Sequence, residues 1–335
     1  MATHSVANPT LADVAKATDP DGKIATIVEI LNETNEILDD MVWKEGNLPT
    51  GHRTTIRAGL PAPTWRKLYG GVQPNKATNV QVTDTTGMLE AYAEIDKALA
   101  DLNGNTAAFR MTEDRAHMEG MSQEFSDTLF YGNEGTAPEE FTGFAPRFND
   151  NSGPANADNI ILGGGSGADN NSIWLISWGE DTVHGIYPKG SKAGLQFSDK
   201  GQVTVEDASD GSNSGRMEAY RSHYRWDCGL SVRDWRYVVR ICNIDQSALT
   251  GDKSGSSADI TDLMSQAIEL LPNAAKGRPA FYMNRGVRSV LRRQINNTTN
   301  VNLTQDQVAG KHVMSFDGIP VRRCDSLTSA EATIS

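Results

Sequence analysis

The chain has 335 residues, of which 38% are hydrophobic, and this composition supports a folded core spread over two or three compact units. The sequence has no run of eighteen apolar residues and no basic-then-apolar start, so we expect cytoplasmic folding and no membrane partner. The formal net charge of -12 disfavours a protein that reads a DNA sequence, because such proteins need a basic face to displace counterions from phosphate.

The first predicted elements are a polar arm with a helix, followed by an extended region. Capping residues at 18–21 precede apolar residues spaced three and four apart, which predicts an amphipathic helix over about 22–40. The turn at 48–51 ends it, and the segments 53–58, 64–72 and 79–92 are predicted to be extended. This β-hairpin region has too few large apolar residues to bury both faces. We therefore expect an arm that reaches onto another surface.

A second, longer helix is predicted over about 105–131. Gly120 lowers the helix propensity in its middle, and Gly132 marks its end. The predicted apolar stripe consists of Phe109, Ala116, Met121, Phe125 and Leu129.

The second half of the chain is predicted to be rich in strands. Polar, glycine-rich stretches at 149–171 and 207–215 indicate surface loops. Strands are predicted at 172–178, 184–187, 219–226, 237–241, 279–283, 313–316 and 319–323, and helices at 258–271 and 285–295. The fold class is therefore α+β, without a repeat of fixed period.

One glycine-rich stretch, 163–167, follows the apolar residues 160–162, as a phosphate-binding loop follows a strand. No Gly-Lys-Ser/Thr sequence comes after it, and the polar continuation at 169–171 favours a surface turn. A nucleotide-binding enzyme is the alternative from a different functional class.

Other catalytic and metal-binding motifs are not found. The six histidines are scattered singly, without the two-histidine helical spacing of zinc hydrolases, and there is no Gly-x-Ser-x-Gly elbow. Cys228, Cys242 and Cys324 form no CxxC pair and are expected to be structural thiols. We predict no catalytic residue, no cofactor and no metal.

Aromatic residues and arginines interleave between residues 220 and 240. This mixture suits stacking on single-stranded nucleic acid, but it is also typical of a half-buried strand at a protein interface. Asp227 and Asp234 supply local partners for the arginines, which favours the second interpretation. The residues concerned are Tyr220, Arg221, Tyr224, Arg225, Trp226, Arg233, Trp235, Arg236, Tyr237 and Arg240.

Four sequence strings resemble capsid proteins of short-tailed, double-stranded-DNA bacteriophages. They lie at 141–144, 226–241, 281–285 and 316–321. The order of the predicted elements is similar to that of the tailed-phage major capsid fold, which encapsulins and the herpesvirus capsid floor share. The resemblance rests on the joint order of these features over nearly the whole chain.

The resemblance implies an α+β tailed-phage capsid fold with an N-terminal arm, an extended β-hairpin loop, a long spine helix, and peripheral and axial domains. The implied ranges are 1–40 for the arm and its helix, 41–92 for the extended loop, 93–150 for the peripheral domain with the spine helix, 151–245 for a β-rich region with insertion loops that belongs partly to the peripheral domain, 246–312 for the axial domain, and 313–335 for a strand that returns to the peripheral domain.

The implied function is that of a major capsid protein. Such a chain self-assembles into hexamers and pentamers that form an icosahedral shell, and it encloses double-stranded DNA without sequence-specific binding. The implied partners are other copies of the chain, a portal protein and a decoration protein. Because the arm begins almost at once, a separate scaffolding protein is expected. The implied location is the virion capsid, assembled in the cytoplasm of the bacterial host. The structural alternative is another virion component, a decoration or fibre protein.

Charge is distributed unequally between the extended loop and the long helix. Residues 43–76 carry six bases and one acid, whereas residues 90–140 carry twelve acids and three bases. In the capsid fold the loop of one subunit lies across the spine-helix region of its neighbour, so the asymmetry predicts an intersubunit contact. The alternative is that both segments are solvated faces. The candidate residues are Arg53, Arg57, Arg66 and Lys67 on the loop, and Glu113, Asp114, Glu119 and Glu124 on the helix.

Overall fold

The computed structural model describes residues 33, 35–102, 106–153, 155–206, 216–251, 258–273, 275–296, 303–308 and 311–335. The α-helices in these ranges are α1 (Ile37–Asp40), α2 (Lys97–Asp101), α3 (Thr106–Tyr131), α4 (Phe144–Arg147), α5 (Ile260–Leu270) and α6 (Arg285–Asn296). The strands are β1 (Trp43–Glu45), β2 (Gly51–Gly59), β3 (Thr78–Asp96), β4 (Ile160–Leu162), β5 (Asn170–Trp178), β6 (Val183–Tyr187), β7 (Gln196–Glu206), β8 (Arg216–Val232), β9 (Val238–Asp245), β10 (Arg278–Met283), β11 (Leu303–Val308), β12 (Lys311–Phe316) and β13 (Ile319–Arg323). This mixture of helices and strands confirms the predicted α+β class.

The chain divides into two compact units. Three of the boundaries between the units fall within β3, α3 and β8. Of the described residues, the first unit contains those at 33, 88–125 and 194–227, and the second contains those at 35–87, 126–193 and 228–335.

In the first unit, the long helix α3 packs its apolar residues against strands. Met121 lies in a buried cluster with Ala93 of β3 and Tyr224 of β8. Phe125 stacks on Trp226, with the ring centroids 4.5 Å apart. The spacing of these helix residues is the 3.6-residue period that the sequence predicts, and the helix continues unbroken through Gly120. Strand β7 pairs with β8 in the same unit.

The second unit contains a mixed sheet. Its strands run in the order β11-β12-β13-β10-β5-β6-β8, with β1 added to β6, β9 to β5 and β4 to β9. Strand β5 is buried along its whole length and pairs antiparallel with both β10 and β9. Residues 173–176 give β5 apolar side chains on both faces, as in strands covered on both sides. The buried polar residues at its start form hydrogen bonds: Asn170 with Thr333, Asn171 with Gln246 and Ser172 with Glu331.

Two helices cover one face of this sheet. Asp259 begins α5, because its carboxylate accepts hydrogen bonds from the backbone N–H groups of Thr261 and Asp262 at 3.1 and 3.2 Å. Met264 of α5 and Leu291 of α6 lie in one buried cluster with residues of β5, β9, β10, β12 and β13. Burying a side chain of this size contributes about 1.5–3 kcal/mol, so this cluster is the main core of the second unit.

A buried ion pair joins the C-terminal segment to the core of the second unit. Arg240 lies 2.8 Å from Glu331, donates to the carbonyl oxygen of Phe148 at 2.7 Å, and covers the ring of Trp174. Tyr131 donates its hydroxyl proton to Glu331 at 2.6 Å. Burial, followed by the charge of Glu331, raises the pKa of Tyr131, so it remains a donor at all physiological pH values.

The N-terminal helix predicted over 22–40 is seen only in part. Residues 22–32 and 34 lie outside the described residues, and α1 covers only Ile37–Asp40. The prediction of a continuous helix is wrong at Asn35. This residue forms a β-bridge with Cys324 and accepts hydrogen bonds from the N–H groups of Asp325 and Ser326. These contacts draw the backbone into extended pairing.

Other predicted elements need correction. The prediction of an extended segment at 64–72 is wrong, because no strand is formed there and Tyr69 has a positive φ of 63°. The loop predicted at 149–171 contains a 3-10 turn, Ala155–Asn159, and the strand β4. The loop predicted at 207–215 lies outside the described residues. Strands β7 and β11 were not predicted. Ala116 is exposed and does not belong to the apolar stripe.

We expect Arg240→Met to lower the free energy of unfolding by about 3–5 kcal/mol, because it leaves Glu331 buried without its cation. Arg236→Met is the matched control. Arg236 is half-exposed and pairs with Asp234, so its loss should cost about 0–1 kcal/mol. Denaturant unfolding of unassembled subunits, followed by circular dichroism, measures both values. Equal losses in the two variants would show that the Arg240 pair has no special role.

Candidate intersubunit surfaces

The extended loop is a two-stranded arm with an irregular tip. Strands β2 and β3 pair antiparallel from Gly51 opposite Thr85 to Gly59 opposite Thr78. Residues 60–77, which we call the tip, contain no strand. Backbone pairing therefore fixes the arm up to Gly59 and Thr78.

The tip exposes large apolar side chains. A turn brings the N–H of Gly70 to the carbonyl oxygen of Lys67 at 3.0 Å. Within and beside this turn, Trp65, Leu68 and Tyr69 are fully exposed or nearly so. A group of adjacent exposed aromatic and aliphatic side chains is typical of a protein interaction site.

The predicted bases of the loop all face solvent. Arg53 donates from Nε to the hydroxyl of Thr83 at 3.2 Å, and Arg66 donates from Nε to the carbonyl oxygen of Gly70 at 3.0 Å. Arg57 and Lys67 are also exposed. The loop therefore carries positive charge along its strands and next to the apolar residues of its tip.

The root of the loop is fixed by a buried carboxylate that no sequence motif indicated. Asp84 lies opposite His52 in the β2–β3 ladder. Arg147 donates to Asp84 Oδ1 at 2.9 Å, and the hydroxyl of Ser231 donates to Oδ2 at 2.8 Å. Both carboxylate oxygens are thus satisfied, which is the condition for burying this charge.

The predicted acids of α3 are not equivalent. Glu124 is exposed, whereas Glu113, Asp114 and Glu119 are half-buried. Burial, and then a hydrogen bond with Asp114, raises the pKa of Tyr224, so Asp114 is engaged within its own unit. Glu119 accepts a hydrogen bond from Gln123 at 3.0 Å. The structure therefore leaves Glu124 as the most accessible of the four.

A shallow groove of about 350 Å³ lies beside Glu124 on the first unit. A Cβ atom added to Gly120 would meet nothing within 4 Å, so the lack of a side chain at this position keeps the groove open. The groove is lined by Leu89, Ala91, Ala116, His117, Gly120, Met121 and Glu124. It is a mainly apolar trough with one carboxylate and one imidazole.

The glycine-rich stretch 163–167 does not form an anion cradle. The N–H of Gly163 donates to the carbonyl oxygen of Cys242 at 2.8 Å, and that of Gly165 donates to Asn243 at 2.7 Å. These donors continue the pairing of β4 with β9, and in the described chain no helix begins directly after the glycines. The stretch is a strand extension and turn.

The arginines between 220 and 240 are paired with acids. This agrees with the interpretation as half-buried strands, because each cation is already neutralised within its own unit. The pairs are Arg221–Glu94, Arg225–Asp227, Arg233–Asp181, Arg236–Asp234 and Arg240–Glu331.

The three cysteines are buried free thiols, as predicted. Burial raises the pKa of Cys242 to about 11, which keeps its thiol protonated and unreactive. Among the residues that the structure describes, no group of three or more His, Cys, Asp or Glu side chains is placed to hold a metal ion.

The family of the chain follows from its comparison with known proteins. A family described as major capsid protein GP7 matches residues 19–335. The chain belongs to this family. It is therefore a major capsid protein, a structural protein that forms the icosahedral shell of a bacteriophage virion.

Solved structures are similar to this chain to very different degrees. A structure from bacteriophage Epsilon15 is 37% identical, covers 100% of this chain and 99% of that chain, and has a TM-score of 0.76. A capsid of bacteriophage JBD30 is 9% identical over 97% of this chain and 96% of that chain, with a TM-score of 0.44. An encapsulin from Synechococcus elongatus PCC 7942 is 10% identical, covers 71% of this chain and 96% of that chain, and also has a TM-score of 0.44. No curated protein matches the chain.

The family match and the Epsilon15 structure confirm the tailed-phage capsid fold for this capsid protein. The division into peripheral and axial domains stays a prediction. None of the described helices is long and apolar enough to cross a membrane.

We expect the capsid protein to stay folded when residues 60–77 are replaced by an Asn-Gly turn. Gly59 and Thr78 are ladder partners, so a two-residue hairpin can join them. Shell formation should be lost, because the exposed tip is removed. Deleting residues 50–75 should instead unfold part of the subunit, because it removes the buried His52 and Thr54. Circular dichroism and particle counts by electron microscopy measure both effects. Normal shells from the Asn-Gly variant would exclude the tip from assembly.

Proposed function

We propose that this capsid protein builds its shell by laying the extended loop of one subunit across the long helix α3 of a neighbour, within hexamers and pentamers. The observation that carries this proposal is the complete exposure of Trp65 and Tyr69 at the tip. Large aromatic side chains bury 150–250 Å² each on average, so their cover must come from another surface. A second copy of the chain is the natural source, because the protein self-assembles into a shell.

The shell that we propose encloses double-stranded DNA and is assembled in the cytoplasm of the bacterial host. A separate scaffolding protein, a portal protein and a decoration protein are its proposed partners. The net charge of -12 suits a wall that surrounds DNA without binding it tightly, since like charges repel. We propose no enzymatic activity for the chain.

The apolar tip and the loop bases make different contributions to the contact. Burying one large apolar side chain contributes about 1.5–3 kcal/mol, whereas an exposed ion pair contributes about 0.2–1 kcal/mol. Trp65, Leu68 and Tyr69 would therefore supply most of the affinity. The charges of Arg53, Arg57, Arg66 and Lys67 would mainly increase the rate of encounter and fix the register.

The groove beside Gly120 is the proposed acceptor on the neighbouring subunit. Its lining is apolar, which suits the ring of Trp65, and Glu124 is placed to meet a cation. In the sequence, Arg66 and Lys67 directly follow Trp65, so an inserted indole would bring positive charge to this carboxylate. The apolar and charged parts of the contact would thus form together.

We expect the triple variant Arg53→Glu, Arg57→Glu and Arg66→Glu to assemble more slowly than the wild type and with less dependence on salt. The attraction of the loop to the acidic helix is lost, and salt screens such attraction over about 10 Å at 0.1 M. Light scattering from low to high salt measures the rate. The matched control changes three other exposed bases, Lys189, Lys200 and Arg293, to glutamate. If both triple variants show the same slowing, net charge and not the loop is responsible.

A second pair of variants tests the groove. We expect Trp65→Ser and Gly120→Leu each to reduce assembly at least tenfold, while Gly120→Ala assembles normally. Alanine adds helix propensity and little bulk, whereas leucine fills the groove. If Trp65 and Gly120 of neighbouring subunits meet, the double variant Trp65→Ser/Gly120→Leu should be no worse than the poorer single variant. If the double variant instead assembles worse than either single variant, by the product of their two defects, Trp65 binds a surface other than this groove.

A further inference from the structure

Two histidines meet at the root of the extended loop, within the second unit. His184 of β6 is completely buried, and neither of its ring nitrogens has a hydrogen-bond partner. Its ring meets that of His52 of β2 in an edge-to-face arrangement, with the centroids 5.7 Å apart and the planes at 76°. The ladders place Asp84 opposite His52 and Ser231 opposite His184. The pair therefore lies where the loop joins the sheet.

The surroundings accept the pair only in its neutral form. His52 uses Nδ1 as an acceptor for the backbone N–H of Asn47 at 3.3 Å, so its proton is on Nε2. Arg147 and Ser231 donate to the two oxygens of Asp84, and neither ring nitrogen of His184 has a hydrogen-bond partner. A proton added to His184 would thus be a buried charge without a hydrogen-bond acceptor.

The nearby charged groups add to this cost. Lys44 of β1 and Arg233, which follows β8, both disfavour a positive charge on His184, as does a protonated His52. Asp181, in the turn before β6, is the group that favours it. Asp181 lies 2.9 Å from Arg233, so its charge is already shared.

We propose that the His52–His184 pair is an acid-sensitive latch: it holds the root of the extended loop against β6 while both rings are neutral, and it releases the root when they are protonated. The partner in this device is the proton, and the responding element is the arm formed by β2 and the first half of β3. The latch concerns the fold of a single subunit. It therefore stands whether or not the tip docks on a neighbour as proposed above.

The direction of the pH dependence follows from the pKa shifts. Burial, followed by His52 and the cations Lys44 and Arg233, lowers the pKa of His184 to about 4. Burial, followed by Arg233, also lowers the pKa of His52. In a released root both histidines regain an ordinary pKa of about 6.5, so the released form binds protons more readily. The latch is thus at full strength above about pH 6.5 and weakens as the pH falls towards 4. Below pH 4, the protonation of His184 causes no further weakening.

Hydrogen–deuterium exchange of unassembled, full-length subunits at pH values from 7.5 to 4 tests the latch. After correction for the intrinsic pH dependence of exchange, peptides covering 43–59 and 183–187 should lose protection progressively below pH 6.5, by up to about tenfold per pH unit for one proton bound. Peptides covering β10 and α6 serve as the reference, and their protection should stay constant over the same range.

The variant His184→Phe keeps an aromatic ring against His52 but cannot bind a proton. Its root peptides should lose clearly less protection between pH 7.5 and 4 than those of the wild type, because only His52 can still be protonated, whereas the control His223→Phe, which alters a histidine of the first unit, should behave like the wild type. If His184→Phe does not fold, His52→Phe replaces it, and the loss of protection should become shallower because His184 no longer faces a second titrating ring.

Two results would overturn the proposal. The first is constant protection of the wild-type root from pH 7.5 to 4. The second is the same acid-dependent loss in His184→Phe as in the wild type, which would assign the effect to other groups or to general acid unfolding.

Discussion

A two-stranded arm has no interior, and this constraint shapes the whole capsid protein. Strands β2 and β3 satisfy each other's backbone groups, but a single ladder cannot cover side chains on either of its faces. Threonines, asparagine and arginines tolerate this exposure. The apolar residues Trp65, Leu68 and Tyr69 do not, so the free energy of covering them becomes available only on association.

The arm depends on a root that is buried and fully hydrogen-bonded. Burying Asp84 costs free energy, which Arg147 and Ser231 offset by occupying both carboxylate oxygens. The same second unit contains β5, which is buried along its length, and the buried pair of Arg240 and Glu331. The rigid part of the subunit and the origin of the arm therefore belong to one compact unit.

The sequence predicted elements whose side chains repeat with a clear period, and it failed where pairing is decided at a distance. Helix α3 was predicted to within one residue, because Phe109, Met121 and Phe125 follow the helical spacing. Strand β7 was missed because its apolar residues Phe197, Val203 and Val205 are few among polar ones, and its pairing with β8 defines it. The aromatic residues near Trp65 suggested a strand, but no partner strand is present in the described part of the chain.

The candidate site shows the same limit. Exposed Arg66 and Lys67 could be recognised from charge counts, but Asp114 is engaged with Tyr224, which only the packing reveals. Asp84 binds Arg147 and Ser231, which are 63 and 147 positions away from it in the sequence, so no local pattern could identify it.

Rigidity at the root links these features to assembly. A loose arm would lose conformational freedom when it docked, and that loss would oppose the free energy gained by covering Trp65 and Tyr69. An arm already held by Asp84 and by the neutral contact of His52 with His184 loses less. In the proposed docking, residues at the root of the arm therefore strengthen the contact that its tip makes. A change that loosens the root would weaken the shell even with the tip intact.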